Sequence, residues 1–257
     1  MARRTPAVMR ALDILELFMD GHDVALSPAD VGVQTDLPRT SVHELLTTLA
    51  SRGYLDRDDA GRYRLGVRLL QLGHAYTSQF DLLRTASELA RTVAFETGET
   101  CSVATLQGSE VFYLSKVDGQ EPLPLSSGVG KRLPASCTGL GKALLAGLTS
   151  EQLRALYPDR VLPVMTPHSL RAFDDLELEL TAVRAMGCAF EREESTMGTA
   201  CAAAPIRDVT GQIVAAISVA LPLERWDASP RSRWVSVVQD AAAGLSASLG
   251  HVESLGA

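Results

Sequence analysis

The sequence predicts an α+β fold in which a small helical part precedes a larger part built on an antiparallel sheet. Two observations support this prediction. Apolar residues recur at helical spacing up to residue 51, and then alternate on both sides of a Gly-containing loop at 58–61. From about residue 100, short β-rich segments are grouped around helices instead of alternating strictly with them, as expected for an antiparallel sheet.

Composition and charge restrict the class of protein. Of 257 residues, 46% are apolar and 21% are charged, which is typical of a globular protein. Asp13 and Glu16 interrupt the apolar N-terminal run, and no uncharged stretch approaches the roughly 20 apolar residues of a membrane helix, so we expect a cytoplasmic protein without a signal peptide or membrane segment. The four cysteines are widely spaced, so no metal site, disulfide framework or cofactor is expected.

Three short helices are predicted before the loop at 58–61. The first carries an apolar repeat and is expected to end at Gly21. Ser27, Pro28 and Asp30 predict the cap and first turn of the second helix. The third, in "LPRTSVHELLTTLASRGYL", has Pro38 in its first turn and is followed by a hairpin; its buried face is expected to comprise Val42, Leu45, Leu46 and Leu49.

Three helices followed by a β-hairpin predict a winged helix-turn-helix, whose third helix presents its outer face to the major groove of DNA. The hairpin would act as a wing that grips phosphate. We therefore expect DNA contacts from Arg39, Thr40, Ser41, His43, Glu44 and Thr47 on the helix, and from Arg62 and Arg64 together on one strand of the wing. The net charge of −7 argues mildly against nucleic acid, but residues 1–72 hold 9 Arg against 10 Asp and Glu, which leaves that segment near neutral.

Two alternatives remain for this outer face. Instead of binding DNA, it could be an ordinary solvated surface or a surface that binds another protein. Glu44 is the residue that keeps these alternatives open, because a carboxylate cannot bond phosphate oxygens and could instead pair with Arg39 or Arg52.

The rest of the chain predicts one broken helix and then a mixed segment of strands and helices. The helix covers 68–98, with its apolar spacing broken near Ser78 and its end at Gly98. Expected strands are 101–107, 110–117, 122–127, 188–193, 199–208 and 212–221, and expected helices are 139–148, 150–157, 173–186 and 229–249.

The sequence resembles the IclR family of bacterial transcriptional regulators over nearly its whole length. The resemblance is carried by "RALDILELF", "GRYRLGVRLLQLG", "SCTGLGKALLA" and "AVRAMGCAFEREESTMGTACAAAPIRDVTGQIVAAISVALP". It implies a winged helix-turn-helix DNA-binding domain at 1–67, a linker helix at 68–80, and a GAF-like effector-binding and oligomerisation domain at 81–257. It also implies a homodimer, paired into dimers of dimers in many members, that binds double-stranded operator DNA.

The resemblance further implies an effector pocket lined by Gly139, Glu191, Cys201 and Ser218, with Ala220 standing where some members have a second serine. Cys201 and Ser218 fall on neighbouring predicted strands, where small residues (Ala200, Ala202 and Ala220) would leave room above the sheet. Gly139 lies near the start of a predicted helix, whose free N–H groups favour an anion. A small organic acid, most simply a carboxylic acid, is the expected effector. Each residue alone could instead be a packing residue of the core.

Enzyme functions are disfavoured. "GLGKALLAG" is not a phosphate-binding loop of the Walker A type, because Ser136 and Ala143 stand where that motif needs Gly and Ser or Thr. A cysteine hydrolase needs a base beside its thiol, and beyond residue 74 only His168 and His251 are available. Glu193 and Glu194, as adjacent strand residues, would point to opposite faces. The remaining alternative is an interaction module that has lost DNA binding.

Overall fold

A computed structural model describes residues 5–19, 25–78, 81–121 and 123–251 of the chain, with side chains described outside 74–83. It divides into an N-terminal unit, residues 1–80, and a C-terminal unit, residues 81–257. Within the described residues, no helix is long and apolar enough to cross a membrane.

The N-terminal unit has the elements of a winged helix-turn-helix. Its helices are α1 (Pro6–Glu16), α2 (Pro28–Thr35), α3 (Arg39–Ser51) and α4 (Val67–Ser78), and its hairpin consists of β1 (Leu55–Arg57) and antiparallel β2 (Tyr63–Leu65). α1 ends at Glu16, before the expected end at Gly21, which lies outside the described residues. α3 begins one residue after Pro38.

Local chemistry explains where these elements begin and end. Ser27 and Asp30 form a reciprocal capping box at the start of α2, as their spacing predicts. Asp36 adopts the left-handed conformation (φ 52°) that turns the chain from α2 into α3. Gly53 (φ 74°) follows the end of α3, where a side chain would be strained.

The core of the N-terminal unit is small and comes from every element except α4. It contains Ile14, Val31, Val42, Leu46, Leu55 and Tyr63, all nearly or fully buried, with Leu45 and Leu49 packed against it. The predicted apolar face of α3 is thus confirmed. The apolar repeat on α1 is only partly used, because Val8 and Leu12 remain 57% and 51% exposed.

The C-terminal unit is built on a six-stranded antiparallel sheet. Its strands are β3 (Thr100–Gln107), β4 (Glu110–Val117), β5 (Arg132–Pro134), β6 (Ala189–Arg192), β7 (Thr199–Arg207) and β8 (Ile213–Pro222), in the spatial order β5-β4-β3-β8-β7-β6. The α+β class and the antiparallel sheet are confirmed.

Helices cover both faces of this sheet. One face packs against α6 (Gly139–Leu145), α7 (Ser150–Leu156) and α8 (Phe173–Met186). The other packs against α5 (Asp81–Thr97), α9 (Leu223–Ala228) and α10 (Arg231–Ser248). Each face has its own buried apolar cluster, so the sheet is the middle layer of three.

Several sequence-based element boundaries are wrong, and proline explains two of them. No strand forms in the described part of 122–127; Pro124 lacks the N–H that a ladder needs, and Pro122 is not described. The short strand at Arg132–Pro134 was not predicted. The expected helix at 229–249 is preceded by a separate helix, α9, and α10 begins after Pro230, which serves as its N-cap residue.

The prediction that Ala200 and Ala202 leave room beside Cys201 is also wrong. Side chains alternate along a strand, and Cys201 faces the α6 side of β7 while its two neighbours face the α10 side. Ala200 and Ala202 belong to the apolar cluster beneath α9 and α10.

Candidate functional site

The outer face of α3 is polar and open to solvent. Its exposed residues include Arg39, Thr40, His43, Glu44 and Thr47, as expected for a helix that would enter a DNA groove. Ser41 is partly buried and lies on the flank that faces α1.

Glu44 lies between this outer face and a groove along α1. The groove encloses about 560 Å³ and has mainly apolar walls, which include Leu12 and Leu45. Among the described residues, Glu44 forms no ion pair with Arg39 or Arg52, so the alternative in which such a pair neutralises it is wrong for this structure.

The two wing arginines have different surroundings. Arg62 lies just before β2 rather than within it, and its Nε donates to Asp58 Oδ2 at 3.0 Å while its backbone N–H donates to Asp58 Oδ1 at 2.8 Å. The Arg62 guanidinium therefore helps to close the hairpin loop. Arg64 lies on β2 and is exposed.

Gly139, Glu191, Cys201 and Ser218 come together around one small cavity in the C-terminal unit. They are contributed by α6, β6, β7 and β8, whose neighbouring order in the sheet brings three of them to one wall. Gly139 must be glycine, because a Cβ there would lie 2.6 Å from the Cys201 Sγ. The cavity measures about 30 Å³, room for about two water molecules.

Sequence reasoning missed several other residues that line this cavity. They include Ser102 on β3, Tyr113 on β4 and Ser127 in the loop before β5, and Ala220 also contributes to the lining. Ser102 lies opposite Ser218 in the register of β3 and β8, so two hydroxyls meet across neighbouring strands. Isolated serines and tyrosines in strands carry no spacing signal that could have identified them.

Glu191 is the acidic group of the cavity. It is 4% exposed, and its Oε1 accepts the N–H groups of Glu194 at 2.6 Å and Ser195 at 2.9 Å. Burial raises the pKa of the Glu191 carboxyl to about 7, an effect that the Ser195 N–H partly offsets and that the Glu194 charge reinforces.

A buried ion pair supports the same wall. Lys142 on α6 is fully buried, and its Nζ lies 2.6 Å from a carboxylate oxygen of Glu194 and 2.6 Å from one of Glu179. Burial alone would lower the pKa of Lys142, but the two carboxylates outweigh it and raise the pKa, so the ammonium stays charged. The sequence signal was a lone lysine in an otherwise apolar helix.

The start of α6 offers fewer free donors than the sequence suggested. The Gly141 N–H donates to Thr138 Oγ1 at 2.9 Å, because Thr138 caps this seven-residue helix. The Gly141 N–H is therefore already satisfied within the helix start.

The cavity lacks the features of a cysteine nucleophile. Burial raises the pKa of the Cys201 thiol well above its usual range, and the charge of Glu191 adds to this, so the thiol stays protonated. Glu193 and Glu194 are not strand neighbours as predicted, since β6 ends at Arg192 and Glu193 is in the left-handed region (φ 59°). Among the described residues, no group of three or more His, Cys, Asp or Glu could hold a metal ion.

The family follows from comparison with known proteins. Residues 74–247 match the model described as bacterial transcriptional regulator IclR C-terminal, and residues 7–59 match the IclR helix-turn-helix domain. The chain belongs to the IclR family. It is accordingly a DNA-binding transcriptional regulator and not an enzyme, and the Walker A and hydrolase alternatives are set aside.

Individual relatives support the same assignment. The transcriptional regulator XynR of Escherichia coli K12 is 31% identical over 95% of this chain and 97% of its own length. BhcR of Paracoccus denitrificans is 32% identical over 93% of this chain and 86% of its own. An IclR homolog from Microbacterium hydrocarbonoxydans, solved in complex with 4-hydroxybenzoate, superimposes with a TM-score of 0.85 at 25% identity, covering 95% of this chain and 98% of that one.

Proposed function

We propose that this protein regulates transcription by binding a specific operator sequence, and that a small organic acid in the cavity of the C-terminal unit controls that binding. The observation that carries the proposal is the convergence of Gly139, Glu191, Cys201 and Ser218, from four separate elements, on one small cavity. Random core positions would not share a cavity lined by hydroxyls.

DNA recognition is assigned to α3 and the wing. The exposed side chains of Thr40, His43, Glu44 and Thr47 would contact base edges, and Arg39 and Arg64 would contact phosphates. Ser41 lies at the flank of this surface. Arg62 would contribute once its bond to Asp58 is exchanged for a phosphate contact.

The ligand is assigned as a small organic acid on two grounds. The Microbacterium neighbour was solved with 4-hydroxybenzoate, an acid with a hydroxyl group. The cavity here offers hydroxyl donors from Ser102, Ser218 and Tyr113. Because the cavity has room for only about two water molecules, a larger ligand requires its walls to move. The lining residues outside the helices and strands include Ser127, Ser195 and Thr196.

We assign the domains as 1–67 for DNA binding, 68–80 as a linker and 81–257 for effector binding and assembly. The protein would act as a homodimer, since Leu70 and Leu72 on α4 stay exposed in the single chain. Ligand control requires that the acid bind two arrangements of the dimer with different affinity. Because its target is chromosomal DNA, we place the protein in the cytoplasm.

The test is operator binding by the full-length dimer, with DNA from upstream of its own gene and three monocarboxylate probes: acetate, lactate and 4-hydroxybenzoate. We expect salt-dependent binding to a discrete site, and a change of about tenfold or more in DNA affinity with at least one probe. Ala220→Leu, which fills the cavity, should bind DNA normally and ignore the probe. Ala182→Leu, the same change at an exposed position on α8, should behave like the wild type.

Two results would contradict the proposal. One is the absence of any discrete binding site on that DNA at low salt. The other is an Ala220→Leu variant that responds to the probe as the wild type does, which would place the ligand outside the cavity.

A further inference from the structure

The described lining of the cavity contains an acidic residue but no basic residue. Among the described residues that line it there is no Lys, Arg or His, and Glu191 is its carboxylate. Both donors to Glu191 Oε1 are neutral backbone N–H groups, those of Glu194 and Ser195. A ligand that enters as an anion therefore meets a buried carboxyl group and no cation to offset its charge.

The buried ammonium group of Lys142 already has two carboxylate partners. Lys142 is held between Glu194 and Glu179, each at 2.6 Å, so two carboxylates face a single positive charge before Glu191 is counted. The side chain of Glu179 is partly exposed, so water also solvates its carboxylate. Glu194 contacts Lys142 directly, which leaves Glu191 as the carboxyl group with the weakest support for a negative charge.

The other titratable groups around Glu191 supply no charge near neutral pH. Tyr113 on β4 and Cys201 on β7 both face it, and burial raises the pKa of each above its usual range, with Glu191 itself adding to the effect. The same burial raises the pKa of Glu191 to about 7. The Glu191 carboxyl group thus exchanges its proton in the physiological range.

We propose that the cavity accepts a monocarboxylate only together with a proton taken up by Glu191, and that it rejects dicarboxylates. This inference rests on the proposed function, whose ligand class it narrows. Because Glu191 lines the cavity, an acid bound there would lie close to its carboxyl group, and two buried carboxylates in one site share a single proton. The proton comes from bulk water, resides on a Glu191 oxygen and is donated in a hydrogen bond to the ligand anion. A second carboxylate on the ligand would be left without a proton or a cation.

The pH dependence of binding has a definite sign. Below about pH 6 Glu191 already holds its proton, so binding takes up none and the affinity is constant. Above its pKa of about 7, each binding event must first protonate Glu191, so affinity falls as pH rises, approaching about tenfold per pH unit. A site with a cation would prefer dicarboxylates to monocarboxylates, and its affinity would not fall in this way as pH rises.

The experiment is calorimetric titration of the full-length protein with the three monocarboxylate probes, and with terephthalate, which replaces the hydroxyl group of 4-hydroxybenzoate by a second carboxylate. Each titration is run from about pH 6 to about pH 8.5 in two buffers of different ionisation enthalpy, which gives the number of protons taken up. We expect uptake approaching one proton at the alkaline end and at least tenfold weaker binding of terephthalate. Glu191→Gln should bind without proton uptake and without pH dependence. Glu96→Gln, the same change at an exposed position on α5, should match the wild type.

The outcomes separate the two proposals. Failure of every monocarboxylate probe to bind at any pH overturns the ligand class of the proposed function, and this inference with it. Binding without proton uptake, or uptake that persists in Glu191→Gln, overturns the inference alone, as does equal binding of terephthalate. If Glu191→Gln does not fold, proton uptake measured on the wild type and on Glu191→Asp decides, and zero uptake in both overturns the inference.

Discussion

Glu191 is 4% exposed and shares its cavity with no cationic side chain among the described lining residues, so its ionised form has lost most of its hydration. Its pKa of about 7 in the folded protein compares with 4.5 for a free glutamate. Between these pH values the unfolded chain has released the proton that the folded chain keeps, so stability falls as pH rises and the loss is complete above about pH 7. A shift of this size corresponds to about 3 kcal/mol.

Glu191→Gln should therefore flatten the pH dependence of stability. The amide oxygen can still accept the N–H groups of Glu194 and Ser195, but it never ionises. Thermal unfolding measured from about pH 5 to about pH 8 should show a wild-type melting temperature that decreases relative to that of the variant. Parallel curves for the two proteins would show that the carboxyl group titrates normally.

Glu44 is the second acid whose position decides a function. It is exposed on α3 at the border between the outer face and the groove along α1, without an ion pair among the described residues, so it is available to a DNA base. A carboxylate there can accept from the N4 amino group of cytosine, a contact that discriminates by roughly 1–3 kcal/mol. Glu44→Gln should relax the preference at one base pair per half-site, and Glu44→Arg should raise non-specific affinity with a steeper salt dependence.

Selection of binding sequences from a random library, followed by titration at several salt concentrations, measures both effects. Thr48→Val, one turn along the same face, is the matched control, because its hydroxyl bonds the carbonyl of Glu44 within the helix. Identical preferences and salt slopes for the wild type and both Glu44 variants would mean that this side chain faces solvent in the complex.

Some residues of the candidate site could be predicted from the sequence and others could not. The four cavity residues that the sequence predicted, Gly139, Glu191, Cys201 and Ser218, came from a recurring family pattern. Ser102 and Tyr113 could not be found in that way, since their role depends on which strands become neighbours. The misplacement of Ala200 and Ala202 has a different origin: side chains alternate along a strand, so the two residues adjacent to Cys201 face the other side of the sheet.

At the scale of elements, boundaries set by local chemistry were predictable. The Ser27 and Asp30 capping box marks the start of α2, and Gly187 in the left-handed region ends α8. The strand predicted at 122–127 was wrong. The composition of this segment is typical of a strand, but Pro124 has no backbone N–H to complete a ladder. Elements whose ends depend on tertiary contacts, such as β5, have no comparable local signal.

One side chain joins α9 to the segments that precede β3 and follow β4. Arg225 on α9 donates two parallel hydrogen bonds of 2.9 Å to Glu99, between α5 and β3, and a third of 2.6 Å to Glu121, after β4. Glu99 is nearly buried, whereas Glu121 is well exposed. Removal of the arginine would leave the Glu99 carboxylate buried without its counter-ion.

We expect Arg225→Met to lower the free energy of unfolding of the C-terminal unit by about 1–2 kcal/mol, a value reduced because the guanidinium is partly exposed. Glu121→Gln should have little effect. The matched control is Arg192→Met, which breaks a pair of similar geometry with Asp227 where both side chains are exposed, and it should change stability little. Denaturant unfolding of the full-length variants measures all three, and equal losses for the two arginines would contradict the argument.

At the scale of the whole molecule, each unit has its own buried core, and the apolar surface left over is unevenly placed. In the N-terminal unit, Leu70 on α4 is 73% exposed, and Val67 and Leu72 on the same helix are also exposed. A helix rarely leaves several large apolar side chains in water unless another surface covers them. We expect a second copy of the chain to cover α4, which would pair two α3 helices for binding to a two-fold symmetric operator.

Leu70→Glu should therefore weaken the dimer and, with it, operator binding. A dimer reads two half-sites spaced by one helical turn of DNA, about 34 Å, or a multiple of it, and a monomer loses the second half-site entirely. Leu178→Glu on α8 is the matched control, since Leu178 is 72% exposed and lies in the other unit. Light scattering should show a dimer for the wild type and for Leu178→Glu, and a monomer for Leu70→Glu at the same concentration, with operator affinity reduced by more than about tenfold only in the monomer. A monomeric wild type, or a Leu70→Glu dimer with unchanged operator affinity, would show that α4 does not form the interface.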